Sequence, residues 1–141
     1  EVFHNTVADN GSEEGVGIQM RTLSAESALH NNVIVGHGTA ISGTSQASWD
    51  ANGFYDNDAA YGPGLSGGSH DVYGDPDFVN RGGGDYHIGP RSAMADRGRD
   101  VGVGVDIDGD TRPAPAGTRP DLGADEVSQR LVFLPLVLRD G

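Results

Sequence analysis

The chain contains no cysteine, so a disulfide framework, thiol chemistry and cysteine-based metal sites are all closed to it. Aromatic residues make up only 6% and hydrophobic residues 35%, too few for a thick globular core built in the ordinary way. Basic residues are also scarce: nine against 21 acidic ones, for a net charge of −12. With no basic face and no lysine-bearing basic motif to neutralise phosphates, nucleic acid is excluded as a partner. No apolar run is long enough to span a membrane as a helix, and no secretory signal stands at the start. Sustained helical periodicity is missing as well; the best amphipathic stretch, 24–28, is too short to count.

What the sequence has instead is glycine, 23 residues in 141, about twice the roughly 7% of ordinary proteins. Short apolar runs broken by Gly, Asn and Asp predict β-structure with many turns, and a degenerate repeat organises it. Val2-Phe3-His4-Asn5-Thr6-Val7 aligns with Ala28-Leu29-His30-Asn31-Asn32-Val33, putting His4 on His30, an offset of 26 positions. A third copy, Asp50-Ala51-Asn52-Gly53-Phe54-Tyr55-Asp56-Asn57, follows 20 positions later. Between the copies lie the β-like pieces Gly15-Val16-Gly17-Ile18-Gln19-Met20 and Thr39-Ala40-Ile41-Ser42. Repeats of this length with two or three short strands describe one turn of a β-solenoid, which buries side chains only by stacking on the next turn roughly 4.8 Å away. The expected fold is therefore all-β: a right-handed parallel β-helix of about three rungs, then an irregular Gly/Pro/Asp-rich cap, then a C-terminal β-strand. Expected inward residues are Val7, Ile18, Leu29, Val33, Val35, Ile41, Trp49 and Phe54. The asparagines near the turns are expected to stack as amide ladders, with His4 and His30 as rung neighbours. The divisions expected are 1–84 for the rungs and a loop, 85–126 for the cap, and 127–141 for the apolar strand.

An ordered series follows the rungs: Asp75-Pro76-Asp77-Phe78-Val79, Gly84-Asp85-Tyr86-His87-Ile88, Ser92-Ala93-Met94-Ala95-Asp96-Arg97-Gly98, Asp106-Ile107-Asp108-Gly109-Asp110-Thr111-Arg112-Pro113, and Asp121-Leu122-Gly123-Ala124-Asp125-Glu126. It resembles the C-terminal signature of bacterial "choice-of-anchor Q" proteins, which share the pectate-lyase-like right-handed solenoid. The closing Phe133-Leu134-Pro135-Leu136-Val137-Leu138-Arg139 is similar to the tail of such proteins from filamentous green non-sulfur bacteria. The family has Ser-Pro-Ala-Ile-Asp-Ala-Gly where this chain has Ser92-Ala93-Met94-Ala95-Asp96-Arg97-Gly98, a change that keeps apolar volume similar. The resemblance implies an extracellular or cell-surface location and no catalytic activity, and fold alone supplies none.

Several residues invite chemical readings. Asp106, Asp108 and Asp110 alternate in a glycine-bearing loop and are the candidate metal ligands, with Ca²⁺ as the ion such oxygens would gather around. The loop lacks the EF-hand glycine and glutamate, so the competing reading is a turn whose Asp side chains bind backbone amides and pair with Arg112 or Arg119. Gly36-His37-Gly38 resembles a segment near the active site of polygalacturonases, but the paired aspartates and basic motif of those enzymes are missing, and a tight turn is favoured. No serine sits in a nucleophile-elbow context, and the five histidines lack metal-ligand spacing. No catalytic residues are assigned. Trp49, Tyr55, Tyr61 and Tyr73 form a potential aromatic strip, with Trp49 and Tyr61 as the sugar-contact candidates.

The chain opens directly on a strand-like segment, from which a processed form or fragment of a longer secreted protein is expected. A first rung without a cap exposes strand edges that template pairing with another chain. At the other end Leu131, Val132, Phe133, Leu134, Leu136, Val137 and Leu138 form the most hydrophobic run. Pro135 within it suits an edge or donated strand. Three fates are open to such a run: it folds back along its own solenoid as a cap, serves as an anchoring signal, or pairs with a second copy, and in that last case the head-to-tail contact propagates into a filament. The function expected is a non-catalytic extracellular structural protein that assembles with copies of itself. The alternatives are a carbohydrate-binding or adhesive module with extracellular glycans as partners and, behind it, a polysaccharide lyase or hydrolase remnant.

Overall fold

A computed structural model describes residues 1–9, 14–21, 27–44 and 48–128. Among these the chain is all-β, with a single 3₁₀ turn at Arg81–Gly83. Its strands, in chain order, are β1 Val2–Phe3, β2 Thr6–Ala8, β3 Val16–Met20, β4 Ala28–His30, β5 Val33–Val35, β6 Thr39–Gly43, β7 Ser48–Asp50, β8 Gly53–Tyr55, β9 Ala59–Tyr61, β10 Val72–Tyr73, β11 Phe78–Asn80 and β12 Asp85–Ile88. Three parallel sheets run β1-β4-β7, β2-β5-β8-β10 and β3-β6-β9, while β11 and β12 form an antiparallel pair. Each of the first three passes of the chain thus adds one strand to each parallel sheet, β10 extends one of them further, and no sheet closes on itself. No helix is long and apolar enough to cross a membrane among the described residues.

The register differs by one residue from the alignment of His4 on His30. Val2 pairs with Leu29 and Phe3 with His30, and the Phe3 and His30 rings stack with centroids 5.6 Å apart. The next step agrees with the repeat: Leu29 pairs with Trp49 and His30 with Asp50. The corner decides the first step. His4, Asn31 and Ala51 all have positive φ, 52°, 59° and 56°, and they mark the same bend in three successive passes. Matching bends places Asn5, Asn32 and Asn52 in one column. Asn32 Oδ1 accepts from the backbone N and Nδ2 of Asn5, both at 3.1 Å. Asn52 Oδ1 accepts the same two bonds from Asn32, at 3.1 and 3.0 Å. Asp71 Oδ1 ends the column by accepting from Asn52 N at 3.0 Å.

Side-chain alternation then sorts the core into two clusters. Met20, Leu29, Ile34, Ala40, Ile41, Trp49 and Phe54 pack between the three parallel sheets. Val33 and Val35 point the other way, against Ile88, Met94 and Leu122. Of the expected inward residues, Val33 and Val35 therefore lie on the opposite face, and Ile34 takes the inward place. The reason is the period of two: adjacent strand residues cannot share a face. Sheet β2-β5-β8-β10 is consequently covered on both sides, and the segment 85–127 lies across its outer face rather than only at its end. Gly53 allows the close approach, since a Cβ there would collide with Met94 Sδ.

Candidate functional site

The β11–β12 hairpin builds the more exposed of two polar groups. Asn80 Oδ1 accepts from Gly83 N at 3.1 Å, and Gly84 closes the turn in the left-handed region at φ 81°. Alternation along β12 sets Asp85 and His87 on one side. Tyr86, edge-on to Phe78 at 5.3 Å, and buried Ile88 lie on the other. His87 Nδ1 is 2.6 Å from Asp85 Oδ1 and Nε2 is 2.8 Å from Asp108 Oδ2. Carboxylates that accept at both ring nitrogens favour the imidazolium, and hydrogen bonds from Asp85 and then Asp108 raise the His87 pKa to about 9. Asp125 completes the group: His87, Asp108 and Asp125 each offer a ligand atom within 4.8 Å of the others. Asp125 Oδ2 also accepts from Ile88 N at 2.8 Å, and burial raises its pKa.

This donor set differs from the one expected. Asp106 Oδ1 accepts from the backbone N of Asp108 and of Asp110, at 2.9 and 2.8 Å, and its Oδ2 accepts from Glu126 N at 3.1 Å. Asp106 is thus the staple of the turn, Asp110 stays exposed, and Asp108 alone of the three joins a converging group. One imidazole nitrogen with two carboxylates suits a borderline divalent ion such as Zn²⁺, whereas Ca²⁺ takes six to eight oxygens. Asp85 already sits where a supporting carboxylate would hold the second ring nitrogen of a ligating histidine. Without a metal, the Nε2 proton takes the ion's place and ties loop 106–110 to β12. The Asp85-Tyr86-His87 alternation was the available sequence signal for this pairing; Asp125 was legible only as one of three acidic residues, with Asp121 and Glu126, able to complete a site near Asp106 to Asp110.

The second group is buried. Arg112 Nη1 donates to His4 Nδ1 at 2.6 Å and to Asp121 O at 2.9 Å, and Nη2 donates to Ala124 O at 3.0 Å. Glu126 is its ion partner at 3.5 Å, with both side chains out of solvent. Glu126 in turn accepts from the backbone N of Ala114 and Asp121, each at 2.8 Å. Asp121 accepts from Asp96 N at 2.6 Å and Val127 N at 2.8 Å. Burial, and then the Arg112 charge, lower the His4 pKa to about 4. Burial raises Asp121 to about 7 against the opposing hydrogen bond from Val127. Every member of this group bonds to its own chain, which makes it a clasp between residue 4 and the segment 112–127.

The other sequence candidates fall elsewhere. Trp49 is buried, donating from Nε1 to Ser66 O at 2.7 Å. Tyr61 stacks on it at 5.8 Å and donates to Asp71 Oδ2 at 2.6 Å. The Trp49 and Tyr61 rings face one another within the core; of the four strip residues the exposed one is Tyr73. His37 lies at the corner between β5 and β6, its backbone N donating to Asn57 Oδ1 at 3.0 Å. Leu131, Val132, Phe133, Leu134, Leu136, Val137 and Leu138 lie outside the described residues. Comparison of the chain with protein-family models, curated proteins and solved structures found no match.

Proposed function

We propose that the chain is part of a right-handed parallel β-helix of the choice-of-anchor Q kind, acting outside the cell as a non-catalytic structural protein that assembles through its strand edges. The observation that carries this reading is the set of parallel ladders, none of which closes on itself among the described residues. Among the described residues β1, β2 and β3 each have one neighbour, as do β7, β9 and β10. Parallel stacking at a constant register can continue without a change of geometry, because each new pass repeats the hydrogen bonds of the last. An unpaired edge of this type is satisfied by another strand, of the same polypeptide or of a second copy. The asparagine column supports it, since Asn5 at its near end can accept a further amide just as Asn32 does. Val103, Val105 and Ile107, all exposed, add apolar surface on the flank. The cell-surface location rests on the family resemblance.

Electron microscopy of the native protein beside a version truncated after Arg130 tests the assembly reading. Filaments that vanish on truncation are the expected result and identify 131–138 as the contact. Monodisperse particles in both samples would sink it.

A further inference from the structure

Three of the nine arginines of this lysine-free chain line one cleft of about 360 Å³, with Arg97 and Arg99 on one wall and Arg119 on the other. The walls are the segments 97–99 and 118–120, and they run close because Gly98 N donates to Pro120 O at 2.8 Å. A Cβ on Gly98 would meet that same carbonyl at 2.7 Å, so a larger residue there would pry the walls apart. The floor is fixed as well. Arg99 exchanges two backbone hydrogen bonds with the side chain of Asn31, donating to Oδ1 at 3.0 Å and accepting from Nδ2 at 2.7 Å. Asn31 is fully buried at the corner between β4 and β5, which anchors the arginine wall to the parallel sheets.

The charges in the cleft do not cancel. Asp50 is engaged by His70, which approaches its carboxylate with Nδ1 at 2.7 Å and donates its backbone N at 2.8 Å. Arg99 Nη1 stands 3.7 Å from the same carboxylate. Asp100 accepts from Gly102 N at 2.9 Å. The guanidinium groups of Arg97 and Arg119 have no ion-pair or hydrogen-bond partner among the described residues, although the chain carries 21 acidic groups. In a molecule of net charge −12, mobile surface arginines have many carboxylates within reach. Two that stay unpaired on a rigid cleft leave positive charge available to a ligand. Arginine in place of lysine also matters, because the planar guanidinium grips a carboxylate or sulfate through two parallel hydrogen bonds.

We propose that this cleft binds an acidic saccharide, with Arg97 and Arg119 each holding one oxyanion and Arg99 providing a third, partly neutralised contact. Carboxylate and sulfate esters share the necessary chemistry, and a polymer bearing several of them can engage both walls at once. The proposal is independent of self-assembly and places sugar recognition away from Trp49 and Tyr61.

Calorimetric titration of the full chain with polygalacturonate and, separately, with heparin in 50 mM salt tests it. A chelator is included so that no cation bridges the acidic protein to the acidic polymer. Binding of at least one saccharide is expected, weakened about tenfold by R97A and again by R119A, as loss of one charged hydrogen bond requires. Whichever saccharide binds identifies the oxyanion. R91A, which removes an exposed arginine outside the cleft, should leave affinity unchanged. Absence of binding to both saccharides, equal loss in R91A, or equal affinity for a single-stranded DNA oligomer would each overturn the assignment.

Discussion

Asparagine does in this protein what neither aspartate nor leucine could do at the same position. Its amide accepts at Oδ1 and donates at Nδ2, so a column of asparagines passes hydrogen bonds from Asn5 through Asn32 to Asn52 without leaving a buried group unmatched. Asp71 only accepts, and the column stops there. Replacing Asn32 by Ala takes the acceptor away from the Asn5 backbone N and removes the Nδ2 bonds to Asn52 Oδ1 and to the carbonyls of Val2 and His30, while the backbone N of residue 32 keeps its bond to Asn52. A loss of about 1–3 kcal/mol for each buried group left unsatisfied is expected, measurable as a lower urea midpoint; an unchanged midpoint would refute the ladder's role. The pair of His4 and Arg112 makes a second prediction at this scale. Arginine can only donate, so His4 Nδ1 must accept and the ring stays neutral, with a folded pKa of about 4 against an ordinary 6.5. A lowered folded pKa contributes stability above pH 6.5 that is lost as pH falls through 4. Asp121 has the opposite sign, since its raised pKa of about 7 favours the fold at low pH. That contribution is common to the wild type and His4→Gln and drops out of their difference. H4Q should therefore lose less stability than wild type between pH 7 and pH 4.5, and equal losses would place the acid sensitivity elsewhere.

At the scale of elements, the sheet β2-β5-β8-β10 explains why short strands suffice. Three-residue strands have little stability of their own, but this sheet is covered by Ile34 and Phe54 partners on one face and by Ile88, Met94 and Leu122 on the other. Gly53 in β8 is the point where the outer layer comes closest. G53A forces Met94 or the strand to move, an overpacking cost of about 1–3 kcal/mol. The same substitution with Met94→Ala should recover part of it, and thermal melts of the single and double variants check this. Failure of M94A to relieve G53A would mean that the glycine serves the strand's backbone instead. The hairpin β11–β12 contributes differently. It carries Asp85 and His87 to meet Asp108, which lies 21 residues beyond His87, and the raised pKa of His87 to about 9 comes first from Asp85. In D85N the NMR titration midpoint of His87 should fall toward 6.5; a midpoint that stays near 9 would assign the shift to Asp108 and Asp125.

For the molecule as a whole, net charge opposes the association that open strand edges favour. At −12, like copies repel over the Debye length, which shrinks from about 30 Å at 0.01 M salt to about 10 Å at 0.1 M. If assembly occurs through edges, light scattering should rise with salt over that range, and a salt-independent signal would point to an uncharged contact. Composition, glycine spacing and the repeat by themselves determined the all-β character, the recurrent short strands, the amide stacking and the turn built on Asp106. These are local properties, set by residue type and by a period that can be read along the chain. The sequence also placed Trp49, Phe54, Leu29 and Ile41 in the core. Tertiary structure alone decided the first register, because an alignment that maximises identity puts His4 on His30 while the left-handed corners put Phe3 there. It alone decided which face Val33, Ile34 and Val35 take, since a one-residue shift inverts every side chain. The converging groups at His87, Asp108 and Asp125, at His4, Arg112 and Glu126, and along the arginine cleft were equally hidden. Members of each group come from separate segments, and only the folding of 85–127 across a sheet face brings them together.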